Sequence, residues 1–257
     1  MIITTGFDPI PDIEKRALRL AEHIGADYVP RGGTSAAKLL KRYDGREILV
    51  VLQETVRLLV SGAEPLEFHP SMGFIRAKRI LKGEPDPLIE AAGMQPGDSV
   101  LDCTAGLGSD SLLFAVYGGE HSQVTALESA LPLYSLLLGG MDSYVSGLAE
   151  VDGALRRIHV VHSDHYSYLQ AQPDNSADIV YFDPMFRSPL TDSAAISPLR
   201  RFANPEALAE GSVAEALRVA RKRVVLKEKA QSGEFTRLGF TELRRGSAKT
   251  SYGVIEL

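Results

Sequence analysis

From Ser99 onward, short apolar runs alternate with helical stretches, and this alternation constrains the fold more than any other feature of the chain. The apolar runs are Ser99–Cys103, Val124–Leu127, Ile158–Val161, Asp178–Phe182 and Arg223–Leu226. Ser111–Tyr117, Leu131 to about Leu148 and residues 205–220 lie between them, with apolar residues recurring at helical spacing. The pair Gly139-Gly140 is expected to interrupt the second of these helices. Such alternation implies an α/β, doubly wound, mostly parallel sheet with helices on both faces. Phe240–Arg245 and Tyr252–Glu256 read as an antiparallel hairpin at its end. Sheets of this kind bind ligands beyond the carboxyl ends of their strands, so the residues after each strand are the candidates.

The chain upstream is of mixed type. Ile10, Ile13, Ala17, Leu20 and Ile24 follow a helical period, with Asp12 as the expected N-cap. A short helix is expected to start at Thr34 or Ser35, and Ile48–Leu52 and Val56–Val60 read as strands of a meander. Residues 1–70 are therefore expected to form a small α+β domain. Residues 71–97 form a basic helical connector jointed at Pro85 and Pro87, and residues 98–257 the ligand-binding catalytic domain. With 257 residues and 44% hydrophobic side chains, the chain can bury a real core. No stretch nears the roughly 20 apolar residues of a membrane span. The N-terminus has no basic region followed by an apolar run, so no signal peptide is read there. The single cysteine, Cys103, excludes an internal disulfide and a cysteine metal cluster, so a reducing cytoplasm and no metal are expected.

Four strands end in or just before an acid. Asp102-Cys103-Thr104-Ala105-Gly106-Leu107-Gly108-Ser109-Asp110 follows the first. Its glycines let backbone approach a ligand, and Asp102 would repel a pyrophosphate but attract an ammonium or sulfonium. Glu128 follows the second strand and can accept both hydroxyls of a ribose. Asp164 follows the third and can accept from an adenine amino group. S-adenosylmethionine (SAM) satisfies all three acids. The fourth strand runs into Asp183-Pro184-Met185-Phe186. There the carboxylate can accept from an exocyclic amine, the proline fixes the turn, and Phe186 can stack on a base.

These residues together resemble the class I SAM-dependent methyltransferases, and more narrowly the RsmJ family of 16S rRNA guanine methyltransferases. The similarity rests on DCTAGLGSD, Glu128, YFDPMF, the basic segment SMGFIRAKRILKG and the strand RVVLKEK. The chain departs from the family's pattern at Ser109, at Asp164-His165 and at Arg187. The resemblance implies a seven-stranded sheet, SAM as cofactor and a guanine of small-subunit rRNA as the base. It extends the expected cofactor set to Thr104, Ala105, Ser109, Asp110, Ser129, His165 and Asp183. Asp183, Pro184 and Phe186 are the expected catalytic residues. A methyltransferase of another substrate and a non-catalytic SAM-binding factor stay open as alternatives.

The net charge of −5 is unevenly spread. Residues 98–183 carry 2 basic against 12 acidic side chains, whereas residues 184–257 carry 13 against 8. This asymmetry suggests a cationic ligand held in the middle and a polyanion met by the tail. Arg76, Lys78, Arg79, Lys82, Arg187 and Lys227 are the expected RNA contacts.

Overall fold

The computed structural model describes residues 1–184, 202, 206–243 and 248–257. A seven-stranded sheet dominates it, in the order β11-β12-β10-β9-β6-β7-β8. Its strands are β6 (Ser99–Asp102), β7 (Gln123–Glu128), β8 (His159–His162), β9 (Ala177–Phe182), β10 (Ala220–Lys229), β11 (Thr241–Leu243) and β12 (Thr250–Glu256). β6 to β10 run parallel, and β12 pairs antiparallel with both β10 and β11. The expected doubly wound sheet and its C-terminal hairpin are both present. Arg244 and Arg245, part of the expected hairpin, lie outside the described residues.

The strand period of two sorts the core into two layers. Val100, Val124, Ile179, Tyr181, Val225 and Val254 face one side. They pack there with α4 (Pro87–Ala92), α5 (Ser109–Gly118), α6 (Leu131–Ser143) and α7 (Ala149–Arg157). Leu101, Leu127, Val180, Phe182, Val224 and Leu226 face the other, under α8 (His165–Ala171), α9 (Glu210–Val219) and α10 (Gly233–Arg237).

A second sheet occupies the N-terminal segment in the order β2-β1-β3-β4-β5. It comprises β1 (Ile2–Thr5), β2 (Asp27–Tyr28), β3 (Ile48–Val51), β4 (Val56–Leu59) and β5 (Leu66–Glu67), with α1 (Pro11–Ile24) and α2 (Ala36–Arg42). β3 and β4 are the two expected antiparallel strands, β5 adds a third that was not expected, and β1 sits parallel between β2 and β3. All four residues of β1 are buried, so it lacks the polar alternation that marks a strand in sequence. α1 starts at Pro11 with Ile10 as N-cap and no side-chain cap. Asp12 instead lies in the first turn, where its charge suits the helix dipole.

The glycine pair in α6 does not interrupt the helix, which runs unbroken from Leu131 to Ser143. A Cβ on Gly140 would come within 2.0 Å of Phe68 Cγ, and one on Gly139 within 3.0 Å of a Val56 methyl. The pair lets the small sheet press against α6 and join the larger core. α3 (Ser71–Leu81) docks in the same way on α5, where a Cβ on Gly73 would meet the Ser109 carbonyl oxygen at 2.5 Å.

Candidate active site

The ends of the parallel strands open onto one cavity. Glu128, Asp164 and Asp183 line it, with Thr104, Gly106, Ser129, His165 and Pro184; Leu127, Leu133 and Leu208 supply apolar walls. The Asp183 amide donates to Thr104 Oγ1 at 2.5 Å, tying the end of β9 to the turn after β6. Glu128 accepts from the Ala130 amide at 2.8 Å. Burial pushes its carboxyl above the ordinary range, and backbone amides oppose the shift. Asp164 caps α8 by accepting from the Ser167 amide at 3.0 Å. His165 Nε2 lies 3.1 Å from Ser212 Oγ, and burial lowers its pKa. Gly106 has a φ of 55°, and a Cβ added to it would meet nothing within 4 Å. The turn therefore presents bare backbone to open space.

Several expected cofactor residues point elsewhere. Asp102 is only 1% exposed and does not line the cavity. It accepts from Ser111 Oγ at 2.5 Å and from the Thr104 amide at 3.1 Å, so it braces the turn from behind. Burial pushes its carboxyl up to about 7. Ala105 is buried, and its amide donates to the Leu127 carbonyl at 3.0 Å. Gly108, the N-cap of α5, has a φ of 71°, and a Cβ there would point at Met141 Cε of α6, 2.2 Å away, rather than into the cavity. The Ser109 hydroxyl donates to the Pro70 carbonyl at 3.2 Å. Asp110 is buried and faces Arg76, Lys227 and Tyr181.

The expected RNA contacts divide in two. Arg76 grips Asp86 through Nε at 2.9 Å and Nη2 at 2.7 Å, and reaches Asp110 through Nη1 at 2.9 Å. Lys227 Nζ bridges Asp110 at 2.8 Å and Asp183 at 2.7 Å. Both cations are held inside the protein rather than offered to a phosphate. Lys78, Arg79 and Lys82 are exposed; Arg79 pairs with Glu84, and Lys78 lies over the Phe74 ring. Phe186 and Arg187 lie outside the described residues. Among the described residues, most cations of the basic tail are also paired. Arg218 pairs with Asp174 and Glu215, Arg221 with Asp178, Lys222 with Asp98, Arg223 with Glu256 and Arg237 with Glu234. Sequence reasoning missed the long-range pairings of Arg221 and Lys222 because the sheet order, which sets β10 beside β9 and β9 beside β6, is what brings those segments together, whereas Arg218–Glu215 and Arg237–Glu234 are local i,i+3 pairs.

Residues 37–237 match the family model described as "Putative SAM-dependent methyltransferase". The chain belongs to that family. It is 40% identical to YpiP of Bacillus subtilis (strain 168), an uncharacterized protein, over 99% of both chains. It is 29% identical to Ribosomal RNA small subunit methyltransferase J of Thioalkalivibrio sulfidiphilus, over 86% of this chain and 85% of that enzyme. The crystal structure of a SAM-dependent methyltransferase from Neisseria gonorrhoeae shares the fold, with a TM-score of 0.67 and 21% identity over 100% of this chain and 96% of the other.

The cofactor of this SAM-dependent methyltransferase is SAM. Its cavity fits such a molecule chemically. The carboxylates of Glu128, Asp164, Asp183 and Glu206 give it a negative lining that suits a cation and accepts from hydroxyl and amine donors, beside the apolar walls of Leu127, Leu133 and Leu208. The bare turn at Gly106 leaves open space on the cavity wall. Among the described residues, no helix is long and apolar enough to cross a membrane, and no cluster of His, Cys, Asp or Glu could hold a metal.

Proposed function

We propose that this methyltransferase modifies the exocyclic amine of a guanine in small-subunit rRNA, in the cytoplasm. One observation carries the reading: Asp183-Pro184, at the end of β9, opens onto the same cavity as Glu128 and Asp164. The relationship to a ribosomal RNA small subunit methyltransferase supports the choice of substrate. Gly106 would line the methionine part of the cofactor, Glu128 would accept from its ribose hydroxyls, and Asp164 from its adenine amine. Thr104, Ser129 and His165 would complete the walls. SAM supplies an electrophilic methyl group on a sulfonium.

An exocyclic amine is a poor nucleophile because its lone pair is delocalised into the base. The Asp183 carboxylate and the Pro184 carbonyl would each accept one of its hydrogens and turn the lone pair toward the methyl. Nitrogen gains positive charge as the new N–C bond forms and the S–C bond breaks, and a fixed carboxylate stabilises that charge more than it stabilises the ground state. Asp183 then takes the surplus proton. Phe186 would stack on the unstacked base, a contact worth roughly 1–3 kcal/mol. Lys78, Arg79 and Lys82 offer exposed cations to the phosphate backbone.

Transfer of labelled methyl to rRNA from cells lacking the protein, followed by nucleoside analysis, tests this. Label is expected in guanosine methylated on its exocyclic amine. Asp183→Ala is expected to bind SAM normally and to lose about a hundredfold or more in rate. Label in a different nucleoside, or no transfer to rRNA, refutes the proposal.

A further inference from the structure

Five charged side chains meet behind the cavity, drawn from separate parts of the fold. Lys227 on β10 lies 2.7 Å from Asp183 Oδ2 and 2.8 Å from Asp110 Oδ2. Arg76 on α3 holds Asp110 from the other side at 2.9 Å and Asp86, the N-cap of α4, at 2.7 Å. The Tyr181 hydroxyl also donates to Asp110, at 2.7 Å. Two cations thus face three carboxylates, which leaves one net negative charge. Asp86 and Asp110 are buried, whereas Asp183 alone of the three lines the cavity. The uncompensated charge therefore has a single outlet, at the position where the amine nitrogen would turn positive.

We propose that Lys227 and Arg76 are positioning residues for methyl transfer. Lys227 aims the Asp183 carboxylate and favours its ionised form. Arg76 holds Asp110 so that Lys227 is shared between two acids rather than neutralising one. The cluster is then one positive charge short of balance until the amine supplies it. The inference rests on the reading of Asp183 as the group that accepts the amine hydrogens. Other groups act on the same balance: Asp110 on α5, Asp102 on β6, Tyr181 on β9 and Glu228 on β10 face Asp183, and Tyr252 on β12 faces Asp110, Lys227 and Arg76. Burial pushes the Asp183 carboxyl up, Lys227 pulls it down and Asp110 pushes it up again, for a net upward shift. The competing view is that the cluster only pins α3 and α4 to the sheet.

The test is a carboxyl-carbon NMR titration of Asp183 in the full chain, assigned against Asp183→Asn, together with melting curves and SAM calorimetry. Lys227→Met is expected to raise the Asp183 midpoint by about one to three pH units, the usual effect of removing an adjacent cation. It should leave SAM affinity within about threefold and cut kcat on rRNA by about tenfold or more, with KM little changed. Lys227→Arg should restore most of the midpoint and most of the rate. If Lys227→Met does not fold, Lys227→Met/Asp110→Asn keeps the wild-type net charge and takes its place. The midpoint is still expected to rise there, because Lys227 outweighs Asp110 at Asp183. An unmoved midpoint in whichever variant folds overturns the proposal. A wild-type protein that transfers no methyl to rRNA defeats the functional reading instead, and the titration still decides the role of Lys227.

Discussion

Replacing Arg76 and replacing Arg79 should produce opposite phenotypes, although the two residues lie three positions apart on one basic helix. The Arg76 side chain is 20% exposed and spans Asp86 and Asp110, whose side chains are 7% and 9% exposed. Arg76→Ala takes the cation from buried Asp86, which also caps α4 by accepting from the Leu88 amide, whereas Asp110 keeps Lys227 and the Tyr181 hydroxyl. Breaking a buried ion pair from one side typically costs about 3–5 kcal/mol. The partial exposure of Arg76 argues for the low end, about 3 kcal/mol. In a chain of this size each kcal/mol moves Tm by roughly 2–4 °C, so a fall of about 6–12 °C is expected. The Arg79–Glu84 pair is 59% and 43% exposed, and such pairs contribute about 0–1 kcal/mol. Arg79→Ala/Lys82→Ala should therefore melt within about 4 °C of wild type. The assay pairs thermal unfolding with rRNA titrations at two salt concentrations. Removing one phosphate-binding cation should flatten the salt slope by about 0.7–0.9 log units per decade. The outer pair should flatten it, and Arg76→Ala should not. A stable Arg76→Ala with a flattened slope would show that Arg76 meets RNA and would refute the argument from burial.

Three further outcomes follow from the same geometry. Gly106→Val should abolish SAM binding in calorimetry at a backbone cost of about 1–2 kcal/mol, since the residue adopts a φ of 55° in otherwise open space; unchanged affinity would move the cofactor away from this turn. Gly140→Ala should lose about 1–3 kcal/mol in denaturant unfolding, because its methyl would overlap the Phe68 ring; an unchanged midpoint would mean that the small sheet yields freely. Asp102 carries a carboxyl raised to about 7, so the folded chain keeps a proton that the unfolded chain gives up above about pH 4. Its contribution is full below pH 4 and fades as pH rises through 7, a loss on the order of 4 kcal/mol. Asp102→Asn should therefore gain stability relative to wild type between pH 5 and pH 8, and a difference that does not change with pH would refute the assignment.

The catalytic sheet was legible in the sequence because its strands alternate with helices and its acids sit where strands end. Glu128, Asp164 and Asp183 share one cavity for that reason. Period and punctuation say less about elements covered on both faces. β1 is such an element, and Gly139-Gly140 reads as a break where the fold needs close approach. Charge was the least legible property. The acidic middle and the basic tail appear in sequence as two surfaces for two ligands, yet Lys227, Lys222, Arg221 and Arg218 pair with Asp110, Asp183, Asp98, Asp178 and Asp174. A parallel sheet forces this, because β10 returns beside β9, and β9 beside β6, with their ends in register. Charges that face each other across adjacent strand ends cancel locally, whatever their sum along the chain. A polyanion can therefore be sought only where cations stay outside the pairing. At α3 and its C-cap those are the exposed Lys78 and Lys82, with Arg79 beside them in a solvent-exposed pair with Glu84, while Arg76 on the inner face is held by Asp86 and Asp110.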